Sequence, residues 1–419
     1  MRRRDLFSHA ASAAALFGLP AAPFQAAAPL PDKGLFQRDP EAWWLQVRKD
    51  QFFLPEWRAF LNNGSLGVAA RPVLDAVSDY LSRAAALNLE EYPRWGYEPL
   101  DEQREELSAF LGCPKDELAL MHNATEAMST VANGLDLAAG DEVLTTDQEH
   151  PGGSCCWLQR QARHGIQVRQ VKLPLPPKSS GQLADVIISA IGPRTRVLSF
   201  SGIITTAGVI LPVRQICDAA RAKGVITVID GAHMNGQIPL KLSELGCDYF
   251  AGSPHKWMFA PAGCGILYGP IAQLDRLWLS TVGSGWDNKK GLKAARFQMV
   301  GTNNRAIFEG LVAGKRFLEQ LGPERVYGRI HELAKKMDRR ARQYPYLEML
   351  TPEDDRLYGS IVTFRFRSGM NLAPLWEACK QKRIWILNGE RLRLSAHVHT
   401  RPGDIDLFFD TMERTLGKG

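Results

Sequence analysis

Two neighbouring stretches decide the reading: Val228-Ile-Asp-Gly-Ala-His-Met-Asn235 and Asp248-Tyr-Phe-Ala-Gly-Ser-Pro-His-Lys256. Each carries a short apolar run that breaks into turn-forming residues, the pattern of a strand buried on both faces. Asp230 ends the first strand, and Lys256 follows the second by a short turn, 26 residues further on. Both groups should therefore stand on one edge of a sheet.

Working outward, further short apolar or β-branched strands are expected at 117–121, 142–145, 167–173, 196–201, 225–229, 249–252 and 265–268. Helical patterns at 71–86, 125–135, 154–164 and 213–223 flank or separate them. This alternation predicts an α/β fold: a mostly parallel sheet with helices on both faces. In such sheets, ligands bind beyond the carboxyl ends of the strands. Two long helices, 307–321 and 323–342, lead to alternating strands at 359–366 and 391–395 around a helix at 372–382, a smaller α+β C-terminal domain. The expected division is a leader at 1–28, an N-terminal helical segment with a substrate-entrance loop at 29–75, a large α/β domain at 76–305 and a small domain at 306–419.

The 419 residues are 45% hydrophobic and 23% charged, with Lys+Arg 51 against Asp+Glu 45, a net charge of +6. That composition suits a globular protein with a large core and excludes disordered and collagen-like classes. No basic run beyond the leader supports nucleic-acid binding. The seven cysteines form no C-x-x-C and no cysteine–histidine cluster, so neither a metal site nor a complete disulfide framework is expected. The leader itself has a basic start, Arg2-Arg3-Arg4, a short apolar stretch and an alanine-rich exit, and Arg3-Arg4-Asp5-Leu6-Phe7 resembles a twin-arginine export signal. Export to the periplasm is therefore expected, with no membrane segment in the mature form.

Asp230 could pair with a protonated ring nitrogen, while Lys256, flanked by apolar residues that favour its neutral amine, could form a Schiff base. The set Asp230-Gly-Ala-His233, Gly252-Ser-Pro-His-Lys256 and Gly263-Cys-Gly-Ile-Leu267 resembles the signature of the class V aminotransferase family, pyridoxal-phosphate enzymes of fold type I. The isopenicillin N epimerase-like branch is the most similar, with cysteine desulfurases more distant.

The resemblance, running from about residue 62 to 400, implies the cofactor pyridoxal 5'-phosphate and a set of site residues. Lys256 would carry the cofactor and shuttle the substrate α-proton. Asp230 would keep the ring nitrogen protonated, and His233 would hydrogen-bond the phenolic oxygen. Thr125, Ser253 and His255 would cradle the phosphate, His150 would stack on the ring, and Thr205 would lie near the ring oxygen. Thr302 would reach the phosphate of a neighbouring subunit, implying a homodimer with shared sites. Arg393 would clamp the substrate α-carboxylate. Strand alternation places Arg391 on the same face, so spacing does not choose between the two, but the following hydrophobic-Ser pattern matches relatives at Arg393. Asn62 and Asn63 would line the substrate entrance, with Asn63 taken as the binding residue. Cys379, in a helical pattern, does not match the desulfurase nucleophile.

The expected function is an enzyme that forms an external aldimine with an amino acid or peptidyl amine and reacts at its α-carbon. Alternatives are a periplasmic transaminase-type enzyme that tailors a peptide siderophore side chain, and a catalytically silent cofactor-binding protein.

Overall fold

The computed structural model describes residues 27–86 and 100–418. The expected leader lies outside them except for its last two positions. Twelve strands run in chain order: β1 Ala59–Phe60, β2 Leu118–Met121, β3 Glu142–Thr146, β4 Gln167–Val171, β5 Thr195–Ser201, β6 Ile226–Asp230, β7 Tyr249–Gly252, β8 Gly265–Tyr268, β9 Leu347–Met349, β10 Ile361–Phe366, β11 Ile384–Trp385 and β12 Arg391–Ser395.

Seven strands form the large sheet in the order β2-β8-β7-β6-β5-β3-β4. All pairings are parallel except those of β8, which runs antiparallel to both β7 and β2. Every residue of β2, β3, β7 and β8 is buried, as expected for strands covered on both faces. The covering helices bury matched stripes. Val213–Ala222 presents Val213, Ile216, Cys217 and Ala220 at helical spacing. Pro151–His164 anchors its fully buried Trp157 to the sheet, donating from the indole nitrogen to Ser199 Oγ at 3.0 Å.

The order of strands places β3 beside β5, although β3 continues outward to β4 while β5 leads back through β6 and β7. That reversal is the topological switch point, where helices diverge and leave a crevice at the carboxyl ends. Ser201, Asp230 and Gly252 end three adjacent strands there.

A second, antiparallel sheet of order β12-β10-β9 carries its own core, with Val362, Phe364, Leu392, Leu394, Phe408 and Phe409 fully buried. The helices Ala306–Leu321 and Pro323–Ala341 lead from the large sheet to it. Three helices of more than ten residues have no counterpart in the sequence reading: Asp101–Leu111, Ser180–Ala190 and Pro402–Leu416. The N-terminal segment holds the helix Pro40–Gln51, which buries Trp43, Trp44 and Val47, and then joins the small domain, where β1 pairs with β11. Asn62 bridges to Ser395 at the end of β12. Among the described residues, no helix is long and apolar enough to cross a membrane.

Candidate functional site

The turn after β7 returns toward the turn after β6, bringing Lys256 Nζ to 3.2 Å from His233 Nε2. Burial is the main cause that lowers the Lys256 amine to about 8, with the Arg393 charge adding to it and Asp230 opposing it. Asp230 is buried, and its Oδ1 accepts from the Ala232 amide at 3.0 Å. The first turn of Pro151–His164 lies directly against this carboxylate: a Cβ on Gly153 would stand 2.6 Å from Asp230 Oδ2. Only glycine permits that approach. His233 is held neutral, its pKa well below the usual histidine value, first by burial and then by the Lys256 and Arg393 charges.

Thr125 is exposed on the first turn of Ala124–Gly134, a helix capped by Asn123, whose Oδ1 accepts from the Glu126 amide at 2.9 Å. Ser253 Oγ accepts from the Ala124 amide at 3.1 Å and so belongs to the same helix start. His255 donates from Nδ1 to the Cys264 carbonyl at 3.0 Å, leaving Nε2 available, and burial lowers its pKa. A helix N-terminus with a flanking hydroxyl and imidazole suits an anion.

His150 caps Pro151–His164, accepting from the Gly152 amide on Nδ1 at 3.0 Å. Its ring is exposed, yet its pKa is lowered by partial desolvation and by Lys256 and Arg393, against the pull of Asp230. Histidine 150 therefore faces the same space as the lysine, the aspartate and the arginine. The neighbouring Glu149 went unread in the sequence. It accepts from Thr146 Oγ1 at 2.6 Å and Ser201 Oγ at 2.5 Å, and burial pushes it up to about 7, with Asp230 contributing. These bonds tie the His150 loop to the ends of β3 and β5.

Arg393 is half-buried on β12, while Arg391 on the same face is exposed. Its guanidinium meets neutral oxygens: Thr205 Oγ1 at 2.7 Å, Ser65 Oγ at 2.6 Å and Asn62 Oδ1 at 3.3 Å. Its Nε is buried with no partner, and desolvation, joined by Arg391, lowers the group to about 10, still a cation at neutral pH. Thr205, expected beside a ring oxygen, thus has its hydroxyl on Arg393. Asn63, expected at the substrate entrance, is fully buried behind the lysine turn. Its amide donates to the Lys256 carbonyl at 2.7 Å, and its Oδ1 accepts from His399 Nε2 at 3.2 Å. Its neighbours Asn62 and Ser65 face the arginine instead. Gly67 closes the loop against the lysine turn, where a Cβ would meet the Lys256 and His255 carbonyl oxygens at 2.3 and 2.4 Å. Thr302 sits on an exposed loop before the helix Ala306–Leu321, and no hydrogen bond among the described residues joins it to Lys256, Asp230 or Thr125. Cys379 is packed in the small-domain core, its thiol raised by burial to about 11.

A profile of the aminotransferase class-V family matches residues 60–401. The chain is similar to isopenicillin N epimerase of Amycolatopsis lactamdurans, with 35% identity over 88% of this chain and 98% of the relative. Isopenicillin N epimerase of Streptomyces clavuligerus shares 32% identity over 85% of this chain and 95% of its own. Among solved structures, a cystine C–S lyase in complex with its product cysteine persulfide superposes with a TM-score of 0.76 at 25% identity, covering 84% of this chain and 96% of that one.

Proposed function

The chain belongs to the aminotransferase class-V family of pyridoxal-phosphate enzymes, and from that premise we propose that it reacts at the α-carbon of an amino acid or peptidyl amine, in the manner of the epimerase-like branch. The observation that carries this reading is Arg393. Among the described residues its guanidinium has no carboxylate within salt-bridge distance, it keeps a buried unpaired Nε, and its charge is felt by Lys256, His150 and His233. A desolvated planar cation so placed fits a substrate carboxylate.

The side chains present also fit the cofactor. Lys256 offers a depressed amine for its aldehyde, Asp230 a buried carboxyl group for its ring nitrogen, His233 a nitrogen for its phenolic oxygen, and Thr125, Ser253 and His255 a polar cup for its phosphate. When bound, the group supplies a sink for the electron pair left when the α-proton departs. The protein does the rest. Arg393 fixes the carboxylate end of the substrate, Lys256 Nζ takes and returns the proton, and Asp230 maintains the charge that makes the sink effective. Glu149 and the hydroxyls of Thr146 and Ser201 hold the loop that carries His150 over the opening.

Incubation of the holoenzyme with amino acids and small peptides in heavy water tests the proposal. Deuterium at Cα with loss of chirality supports epimerase-type chemistry. Release of an α-keto acid or aldehyde supports the second reading, a transaminase-type tailoring enzyme, which the Arg3-Arg4 leader favours by suggesting an exported site of action. No exchange with any α-amino substrate overturns both. Export and dimerisation are parts of the same proposal. Periplasmic fractionation of wild type against an Arg3→Lys, Arg4→Lys pair tests the first. Restored activity on mixing Lys256→Ala with Thr302→Ala subunits tests a shared site.

A further inference from the structure

Trp257 directly follows the site lysine and is fully buried, yet it carries one polar atom that must be spent somewhere. Its indole Nε1 lies 3.2 Å from His233 Nδ1. An indole nitrogen can only donate, so Nδ1 of His233 must accept. A neutral imidazole with an accepting Nδ1 carries its proton on Nε2, and Nε2 is the atom 3.2 Å from Lys256 Nζ. We propose that Trp257 is a positioning residue: its indole N–H fixes the His233 proton on Nε2 and thereby aims a hydrogen-bond donor at Lys256.

The indole is itself held. His397 Nδ1 accepts from the Val398 amide at 2.8 Å, which leaves its Nε2–H to donate to the Trp257 carbonyl at 3.1 Å. The His397 ring also stacks on the indole, with centroids 5.7 Å apart and planes 24° from parallel. Since His397 follows β12, the strand of Arg393, the line His397–Trp257–His233–Lys256 links the carboxylate-binding strand to the amine. Its direction matters chemically. An Nε2–H donor favours a neutral amine at Lys256, or an anionic oxygen placed beside it, and disfavours an ammonium. The opposite tautomer would accept from the ammonium and favour the charged amine.

The other charged or titratable groups acting on Lys256 and His233 are Asp230 from β6, Arg393 from β12, His150 from the loop after β3 and His255 from the lysine turn. Among the described residues none of these supplies a donor to His233 Nδ1, so the indole sets the tautomer. The inference rests on Lys256 and His233 as the centre of the site, and its test does not depend on which reaction the enzyme performs.

Selective 15N-histidine NMR of the wild-type holoenzyme, and of the same full chain after cofactor removal, reads the tautomer directly. The expected signature for His233 is an unprotonated Nδ1 and a protonated Nε2 in both. A protonated Nδ1 overturns the proposal, whatever any variant does. In Trp257→Phe, which retains an aromatic ring, the His233 signals should shift toward a mixture of tautomers. Acylation of Lys256 in the cofactor-free chain, followed by mass spectrometry, should then slow about tenfold at pH 7, the size expected for losing one hydrogen bond to the neutral amine. An unchanged tautomer and acylation profile in a folded Trp257→Phe also overturns it.

Discussion

Lys256, Asp230 and His233 come from two consecutive strand ends of the large sheet, whereas Arg393 and its partners Thr205, Asn62 and Ser65 come from three separate parts of the chain. The first group, the floor, is bound to backbone fixed by parallel ladders: Asp230 pairs with Ala251 and Ser201 on either side. The second group, the rim, exists only because β1 adds to the small domain and carries the 62–67 loop over the lysine turn. The floor holds charges that define a chemistry common to a large family. The rim presents one cation among neutral oxygens, the group assigned to the substrate carboxylate in the proposed function.

Substitutions should separate the two regions by size of effect. Lys256→Ala is expected to abolish turnover, a loss of at least about 10⁴-fold, because it removes the amine proposed to take the α-proton. Circular dichroism should meanwhile show a folded chain. Asp230→Ala should leave substrate binding nearly intact while solvent deuterium exchange at Cα falls about 10²–10³-fold, the scale of removing one preorganised electrostatic partner. At the rim, Arg393→Ala should raise KM for carboxylate-bearing substrates and lower kcat/KM about 10²-fold, with Arg393→Lys recovering only part because a point charge lacks the planar fork.

A pH experiment sharpens the floor further. The Lys256 amine is lowered to about 8, so below that value it is mostly protonated and has no lone pair to offer. Capture of pyridoxal phosphate by the cofactor-free chain should therefore rise about tenfold per pH unit from 6 to 7 and level off above about 8. A profile still rising steeply at pH 10 would mean that the amine is not desolvated. The smallest effect is expected for Ser65→Ala, which removes a neutral acceptor from Arg393. A change in kcat/KM of about fivefold or less should register in kinetics, without altering deuterium exchange at saturating substrate.

The floor was legible in the sequence because its information is local. Asp230, His233, Ser253 and Lys256 lie within one strand–connection–strand unit, and short apolar strands ending in polar turns place such residues on the same sheet edge. The helix expected from Thr125 begins one residue earlier, at Ala124, and its cap is Asn123. The rim was less so. Side chains on a strand alternate, but successive residues of an irregular loop have no fixed direction, so Asn62 and Asn63 could not be told apart. The structure turns Asn62 and Ser65 to Arg393 and buries Asn63 under Lys256. Thr205 likewise serves the arginine, because β12 of the small domain comes to rest over the loop after β5. Glu149 was passed over beside the more conspicuous His150, since its burial depends on Thr146 and Ser201 from two different strands.

The sequence by itself determined the α/β architecture and the shared sheet edge of Asp230 and Lys256, because apolar periodicity and turn chemistry act over a few residues, while the family came from the resemblance of the motifs around Asp230, His233 and Lys256. Tertiary structure alone decided which loop side chains meet Arg393, which nitrogen of His233 carries its proton, and how far the Lys256 amine is desolvated. Those properties arise from atoms 23 to 331 positions apart being packed to within about 3 Å, the range over which hydrogen bonds are set.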